Sequence, residues 1–594
     1  MRYNPRIQDR KQYVLPQVAT YKHKLDVVEN QMSHHIDVIE AASLAAATDV
    51  HLYPRPTKTL ASLMSKIAAY VGCNPDQIIL TNGSDSALKL LCDSYIFDNV
   101  NVVIPTPSYP HFISFASQLT NNITYTDIDV KSTSMEICEQ VSSAITPETN
   151  MVYLVSPNLP LGYVLRPEDI ENMLIKYPHA LIVIDEAYCE YRGISCSHLL
   201  KYTNFCIVRT FSKCFGLASL RIGYLVSNIT NINYMKAIVN EKSVTETAIA
   251  AANAALSNLN HYLDNVKHVE DAKGYLESEL SRICDPDSPI YGYNITGGNF
   301  YLIYAHDTKA VCRIFADHGV YVRDKHSDVK NSIRIAIGLD EQNRDVIDLI
   351  KYINLKSLLL KFKVVFDLDN TLRLHSKNII APYPGSKILE KCDSFICTNN
   401  TSYTPDEISK YFGDHNVNIA SSRIYSPLTF AKSIISDKYS IIGSDNVVDY
   451  FGKSIPIELA DTVYISNKHF LDESTIIKLC TYKPKLLCTI GGDKINLSNY
   501  ADNDTISDVL IPDIGQTSNM LSQFMPVETI GKPNNILPFS GKNIIMVGDS
   551  DTDMDFARNI GALFIRVNGI ETPRCEFDNC ITVPDVDYLY DLIK

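Results

Sequence analysis

Hydrophobic and polar positions along the chain fall into two kinds of block. Leu60, Leu63, Met64, Ile67, Ala68 and Val71 recur at helical spacing and predict an amphipathic helix. Short apolar runs at Val100–Ile104, Met151–Val155, Leu181–Ile184 and Cys206–Val208 read as buried strands. A second series starts at Val364–Phe366 and continues through Phe395–Cys397 and Ile544–Val547. Strand alternating with helix predicts an α/β fold with mainly parallel sheets. Each strand ends in polar residues, and open α/β sheets hold their ligands at the carboxyl ends of strands. A helical pattern through Val346, Ile347, Leu349 and Ile350 stops within Tyr352–Phe362, just before the second series. The joint is placed there, giving domains 1–355 and 356–594.

Composition narrows the classes. A chain of 594 residues with 45% hydrophobic and 21% charged residues can build two to four cores. Its net charge of -14 argues against a general nucleic-acid binder, which needs a basic face. The stretch Met1–Tyr13 is polar and lacks the apolar core of a signal peptide. No run of about 18 apolar residues predicts a membrane span. The 15 cysteines are scattered, which fits a reducing compartment, the cytoplasm by default.

Two constellations carry chemistry. In the first, Thr210-Phe211-Ser212-Lys213 follows a strand and leads to Arg221. A lysine held in such a turn can form a Schiff base with a carbonyl cofactor. Ser212 and Arg221 can hold a phosphate beside it. Asp185 ends the strand Leu181–Ile184, where a carboxylate can pair with a pyridinium nitrogen. Thr81-Asn82-Gly83-Ser84-Asp85-Ser86 lies between a strand and a helix, a good phosphate seat.

Residues 20–350 resemble the fold-type I pyridoxal-phosphate aminotransferases, most closely the histidinol-phosphate aminotransferase-like branch. The matching pieces are Glu29-Asn30, Tyr53-Pro54, the phosphate seat, Pro105–Tyr109, Pro157–Gly162, Asp185–Tyr188, the Lys213 segment and Ser332–Ile335. The resemblance implies that Lys213 carries the cofactor and moves a substrate proton. It implies that Asp185 pairs with the ring nitrogen, that Tyr188 bonds the ring hydroxyl and that Tyr109 stacks on the ring. Ser84, Asp85, Ser212 and Arg221 then surround the cofactor phosphate, joined by Tyr53 from the partner in a homodimer. Arg334 matches the holder of the substrate's anionic end, with Arg323 as a second candidate. The family usually reads Asn-Asn-Pro-Thr-Gly where this chain has Asn158-Leu159-Pro160-Leu161-Gly162, so Leu159 removes a donor to the ring hydroxyl.

The second constellation opens with Asp367-Leu368-Asp369-Asn370-Thr371 at a strand end. Carboxylates at i and i+2 point to one side of an extended chain. One can attack phosphorus while the other handles the leaving-group proton. Thr398 offers a hydroxyl, Lys532 a positive charge, and Asp549 with Asp553 can complete a Mg²⁺ site of hard oxygens. Residues 362–594 resemble the haloacid dehalogenase superfamily of phosphatases, with a C2-type cap inserted at about 401–528 around the strand signals Tyr439–Gly443 and Leu486–Ile490. The resemblance implies Asp367 as nucleophile, Asp369 as general acid and base, and Thr398 with Lys532 as the phosphoryl-stabilising pair. Asp367, the Asp369 backbone carbonyl, Asp549 and Asp553 are the implied metal site, and Asn370 replaces a frequent glycine.

The expected protein is a bifunctional enzyme that transaminates a small amino or keto compound and hydrolyses a phosphomonoester. Histidinol phosphate is one candidate for both steps. The phosphatase could also act on an unrelated metabolite, or only one half could be catalytic and the other a cofactor-binding scaffold or regulator.

Overall fold

The computed structural model describes residues 20–48, 51, 53–54, 57–376, 379–435, 437–466, 471–490, 494–496, 510–512, 521–534, 536–567 and 572–594. Met1–Tyr13 lies outside them, as does part of the segment expected to form the cap. The chain divides into two compact units, Met1–Ile347 and Asp348–Lys594. The division falls within the helix Asp340–Ile353, and a second helix, Leu355–Lys361, fills the stretch expected to be a simple joint.

The first unit is built on a seven-stranded sheet. Its strands lie in the order Ile78–Thr81, Gly223–Ser227, Phe205–Thr210, Leu181–Asp185, Thr149–Val155, Asn101–Thr106 and Ile123–Asp127. Gly223–Ser227 is antiparallel to both neighbours, and the other pairs are parallel. The apolar runs become its central strands because helices cover the sheet, burying Leu181–Asp185 and Phe205–Thr210 along their full length. The predicted amphipathic helix is Lys58–Val71. Thr57 caps it by accepting from Leu60 N at 3.0 Å, and Leu63, Ile67, Ala68 and Val71 are its buried stripe. A four-stranded antiparallel sheet, Arg323–Asp324, Ser332–Ala336, Phe300–Ala305 and Ile290–Asn294 in that order, sets Arg323 opposite Arg334.

The second unit has a seven-stranded sheet in the order Ile424–Tyr425, Asp393–Cys397, Lys363–Phe366, Ile544–Gly548, Leu563–Val567, Cys580–Val583 and Arg574–Phe577. All neighbours are parallel except the last pair. The segment between Thr398 and Lys532 contributes a separate four-stranded parallel sheet, Tyr439–Ile442, Thr462–Ser466, Leu486–Ile490 and Val527–Ile530. Its last strand ends directly before Gly531-Lys532. All 15 cysteines are free. Among the described residues no helix is long and apolar enough to cross a membrane.

Candidate active sites

In the first unit, the strand ends converge on a cavity of about 280 Å³. Lys213, Asp185, Tyr188, Tyr109, Ser84, Asp85, Ser212 and Arg221 line it, as do Arg323 and Arg334. The Lys213 Nζ donates to Val28 O at 3.0 Å and Val27 O at 3.3 Å, and lies 5.2 Å from the centre of the Tyr188 ring. Burial, and after it the charge of Arg334, push the Lys213 amine down to about 7. Burial thus favours the neutral amine, the form that attacks a carbonyl. Val28 holds its carbonyl on this amine from a left-handed backbone with φ 59. That conformation is unfavourable for a β-branched residue, and strain of this kind gathers at functional sites.

Asp185 accepts from Tyr153 Oη at 2.8 Å on one oxygen and from Ala187 N at 3.0 Å on the other. Burial pushes its carboxyl up to about 6, against these bonds, which favour the ionised form. Tyr153 is fully buried and stacked on Phe112 at 3.7 Å between ring centres. The sequence reading missed Tyr153, whose only signal is its place within an apolar strand.

The segment expected to seat a phosphate lines the same cavity through Ser84, Asp85 and Arg221. Arg221 donates to Asp85 at 3.0 Å, and Tyr109 Oη donates to the other Asp85 oxygen at 2.7 Å. Burial pushes Asp85 up, but His111, Tyr109 and Arg221 outweigh it and hold the carboxyl below its ordinary value. The Asp85 side chain thus holds Arg221 and Tyr109 in place. Gly223 packs so closely that a Cβ there would meet Gly83 C and Ser84 N at 2.7 Å. Gly83 has φ +72, and its Cβ would fall 2.6 Å from the Arg221 guanidinium. Gly83→Ala is expected to cost about 1–2 kcal/mol of stability through its left-handed backbone. It should also displace Arg221 and weaken retention of a phosphate-bearing ligand. Thermal melting and phosphate-ligand titration of the variant check both effects.

Leu159 lines the cavity as read, but Asn158 is fully buried and spent on the loop. Its amide donates to Tyr163 Oη at 3.2 Å and Pro107 O at 3.3 Å and accepts from Leu161 N at 3.0 Å. It does not stand in for the missing asparagine. Tyr53 is 76% exposed and lies outside the lining of the cavity in its own chain.

In the second unit, Asp367, Thr398 and Asp549 follow three adjacent parallel strands, so the sheet itself gathers them. Carboxylate atoms of Asp367, Asp549 and Asp553 lie within 4.8 Å of one another. Lys532 Nζ sits 2.5 Å from Asp367 and also contacts Asp553. Burial pushes Asp367 well up although Lys532 pulls it down, and burial followed by Asp553 lifts Asp549 to about 6. Burial alone would lower Lys532, but Asp367 and Asp553 hold it raised. Three carboxylates this close repel one another, and one ammonium does not balance them. The oxygen donor set suits a hard divalent cation such as Mg²⁺.

The surrounding residues fix this arrangement. Ser550 caps the helix Asp551–Ile560 and donates to Asp553 at 2.6 Å. Asn370 takes φ 61, the turn for which asparagine is tolerated in place of glycine. Asp369 is held from two sides. It accepts from Arg373 Nε at 2.8 Å and from Asn400 Nδ2 at 3.1 Å. Asn399 clamps the Lys532 backbone from both sides, accepting from its N–H at 2.7 Å and donating to its carbonyl at 3.1 Å. The roles of Arg373 and of the two asparagine side chains were not legible in the sequence, because each depends on a partner brought close only by folding.

Residues 22–350 match the family described as aminotransferase class I and II. The chain is 30% identical over 331 residues to histidinol-phosphate aminotransferase 1 of Archaeoglobus fulgidus, covering 55% of this chain and 98% of that protein. It is 31% identical over 302 residues to the dihydroxyacetone phosphate transaminase of Campylobacter jejuni, covering 50% of this chain and 79% of that protein. The solved structure of histidinol-phosphate aminotransferase from Sinorhizobium meliloti in complex with pyridoxal-5'-phosphate shares the fold, with a TM-score of 0.50 at 23% identity over 59% of this chain and 96% of that one.

Proposed function

The chain belongs to the class I and II aminotransferases, and on that footing we propose that its first unit transfers an amino group to or from a small phosphorylated metabolite, with pyridoxal phosphate as cofactor. The observation that carries this reading is a buried lysine, Lys213, whose amine is pushed down by burial and which shares one cavity with Asp185 and the Arg221–Asp85 pair. The relatives named for histidinol phosphate and dihydroxyacetone phosphate support a phosphorylated substrate. Lys213, Asp185, Tyr188, Tyr109, Ser84, Ser212 and Arg221 are the residues that would hold the cofactor. When bound, that cofactor supplies an electron sink for the pair released at the substrate carbon. Lys213 moves the proton at that carbon, Asp185 keeps its negative charge toward the ring nitrogen, and Arg334 holds the substrate's anionic end. Tyr188 is left to bond the ring hydroxyl, since Leu159 cannot. The reading includes a homodimer in which the exposed Tyr53 reaches the phosphate seat of a second copy.

For the second unit the reading is Mg²⁺-dependent phosphomonoester hydrolysis, favoured by the convergence of Asp367, Asp549, Asp553 and Lys532. The Asp367 carboxylate attacks phosphorus, and the departing oxygen takes its proton from Asp369. Water then gives a proton back to Asp369 and releases phosphate from the aspartyl phosphate. The metal would sit among Asp367, the Asp369 carbonyl, Asp549 and Asp553, with Thr398 and Lys532 on the phosphoryl oxygens. The two reactions follow one another if the aminated product still carries its phosphate.

The test is a screen of the purified full chain with glutamate and phosphorylated ketones, among them imidazole acetol phosphate and dihydroxyacetone phosphate. Formation of 2-oxoglutarate and release of inorganic phosphate are followed separately. Chelating the metal with EDTA is expected to stop phosphate release and leave amino transfer intact, with a phosphorylated amine accumulating. Absence of amino transfer to every ketone would reject the reading of the first unit. Phosphate release that survives EDTA would reject that of the second.

A further inference from the structure

The turn that follows Asp367 folds an arginine back onto the carboxylate read as the proton carrier. Asn370, at φ 61, shapes this turn: its N–H donates to Arg373 O at 2.7 Å, while Arg373 N donates to Leu368 O at 3.1 Å. Arg373 thereby lies beside Asp369, four residues earlier, and its Nε donates to Asp369 Oδ1 at 2.8 Å. Asn400, just past the neighbouring strand Asp393–Cys397, donates to Oδ2 at 3.1 Å. Each Asp369 oxygen thus has a donor from a different segment, and the two bonds set the plane of the carboxylate. Arg373 is itself held. It is 2% exposed, and its guanidinium carbon lies 5.3 Å from the ring centres of both Tyr403 and Tyr411. Aromatic faces stabilise a desolvated guanidinium. Its Nη2 is buried with no hydrogen-bond partner among the described residues. An unsatisfied donor on a buried cation costs stability, so packing alone explains Arg373 poorly.

We propose that Arg373 is a positioning residue of the second unit: it aims the Asp369 side chain, and so governs both the departure of poor leaving groups and the attack of water on the aspartyl phosphate. The inference rests on the proposed phosphatase reading and deepens it by naming the residue through which Asp369 is aimed. In the second step the water oxygen bonds phosphorus as the bond from Asp367 to phosphorus breaks, and the water proton passes to Asp369. Such transfer needs hydrogen-bond reach, and a misplacement of about 1 Å can cost about 10²-fold. Without Arg373 the carboxylate loses an anchoring bond at Oδ1 and the proton path loses its alignment.

The test compares full-length wild type, Arg373→Met and Arg373→Lys, with Mg²⁺, on p-nitrophenyl phosphate and phenyl phosphate. The p-nitrophenolate ion leaves without a proton, whereas phenolate needs one. Methionine fills the space between the tyrosine rings without a donor, and lysine keeps the charge without the planar Nε–H. With p-nitrophenyl phosphate, both variants should lower kcat and KM together by about tenfold or more and keep kcat/KM at the wild-type value, because only the attack of water is slowed. The aspartyl phosphate should then accumulate behind a burst of p-nitrophenolate. With phenyl phosphate, kcat/KM should also fall by about tenfold or more. In an Asp369→Asn background, Arg373→Met should add nothing. Thermal melting checks folding, and Arg373→Lys carries the comparison if Arg373→Met does not fold. Equal loss of kcat/KM on both esters, a loss that persists in the Asp369→Asn background, or wild-type kinetics in either folded variant would overturn the proposal and leave the phosphatase reading standing. Wild-type protein that releases phosphate from neither ester would reject that reading, and the positioning role with it.

Discussion

Lys213→Ala is expected to abolish attachment of pyridoxal phosphate and to cut amino transfer by several orders of magnitude. Two roles are lost together: the amine that captures the carbonyl cofactor, and the acid–base group at the substrate carbon, by itself worth roughly 10²–10⁴-fold. The cavity's other lysine, Lys325, is paired with Asp328 at 2.5 Å and poorly placed to substitute. Borohydride reduction followed by peptide mass analysis checks the attachment point. Trapping at undiminished yield in the variant would mean that another amine carries the cofactor. The pH dependence has a definite sign. Burial and Arg334 disfavour the charged form of Lys213 and bring it to about 7. Capture of cofactor by the apoprotein should therefore accelerate as pH rises through neutrality and then level off. Arg334→Met removes part of the cause and should move that midpoint upward.

Asp367→Asn is expected to lower phosphate release by several orders of magnitude while leaving amino transfer unchanged. The substitution keeps the shape of the side chain and one oxygen, but removes the attacking carboxylate, and without it no aspartyl phosphate forms. It also relieves repulsion among Asp367, Asp549 and Asp553, so the variant should fold at least as well as the native chain. Asp369→Asn should lose roughly 10²–10⁴-fold through proton transfer alone. Separate assays of 2-oxoglutarate and phosphate, with circular dichroism as the folding control, read the outcome. Loss of both activities with folding intact would show that the two units are coupled.

The strands that carry both sites were legible in the sequence, because a buried parallel strand must be apolar along its whole length and polar where it emerges. Leu181–Ile184 followed by Asp185 and Val364–Phe366 followed by Asp367 are such patterns, and the folded strands extend each by a single residue, to Leu181–Asp185 and Lys363–Phe366. Left-handed turns were legible too where the residue type tolerates them, as at Asn370. The contacts that tune the sites were not. Val28 meets Lys213 across 185 residues, and Lys532 meets Asp367 across 165. Tyr153, Arg373 and Lys325 carry no local signal, since a tyrosine in an apolar strand or a lysine beside an aspartate has the same appearance in any fold. Local sequence set the period, the strand ends and the residue types, because sterics and burial act between near neighbours. Only the tertiary structure decided which charge faces which, because that depends on distances between segments far apart in the chain and on the water excluded between them.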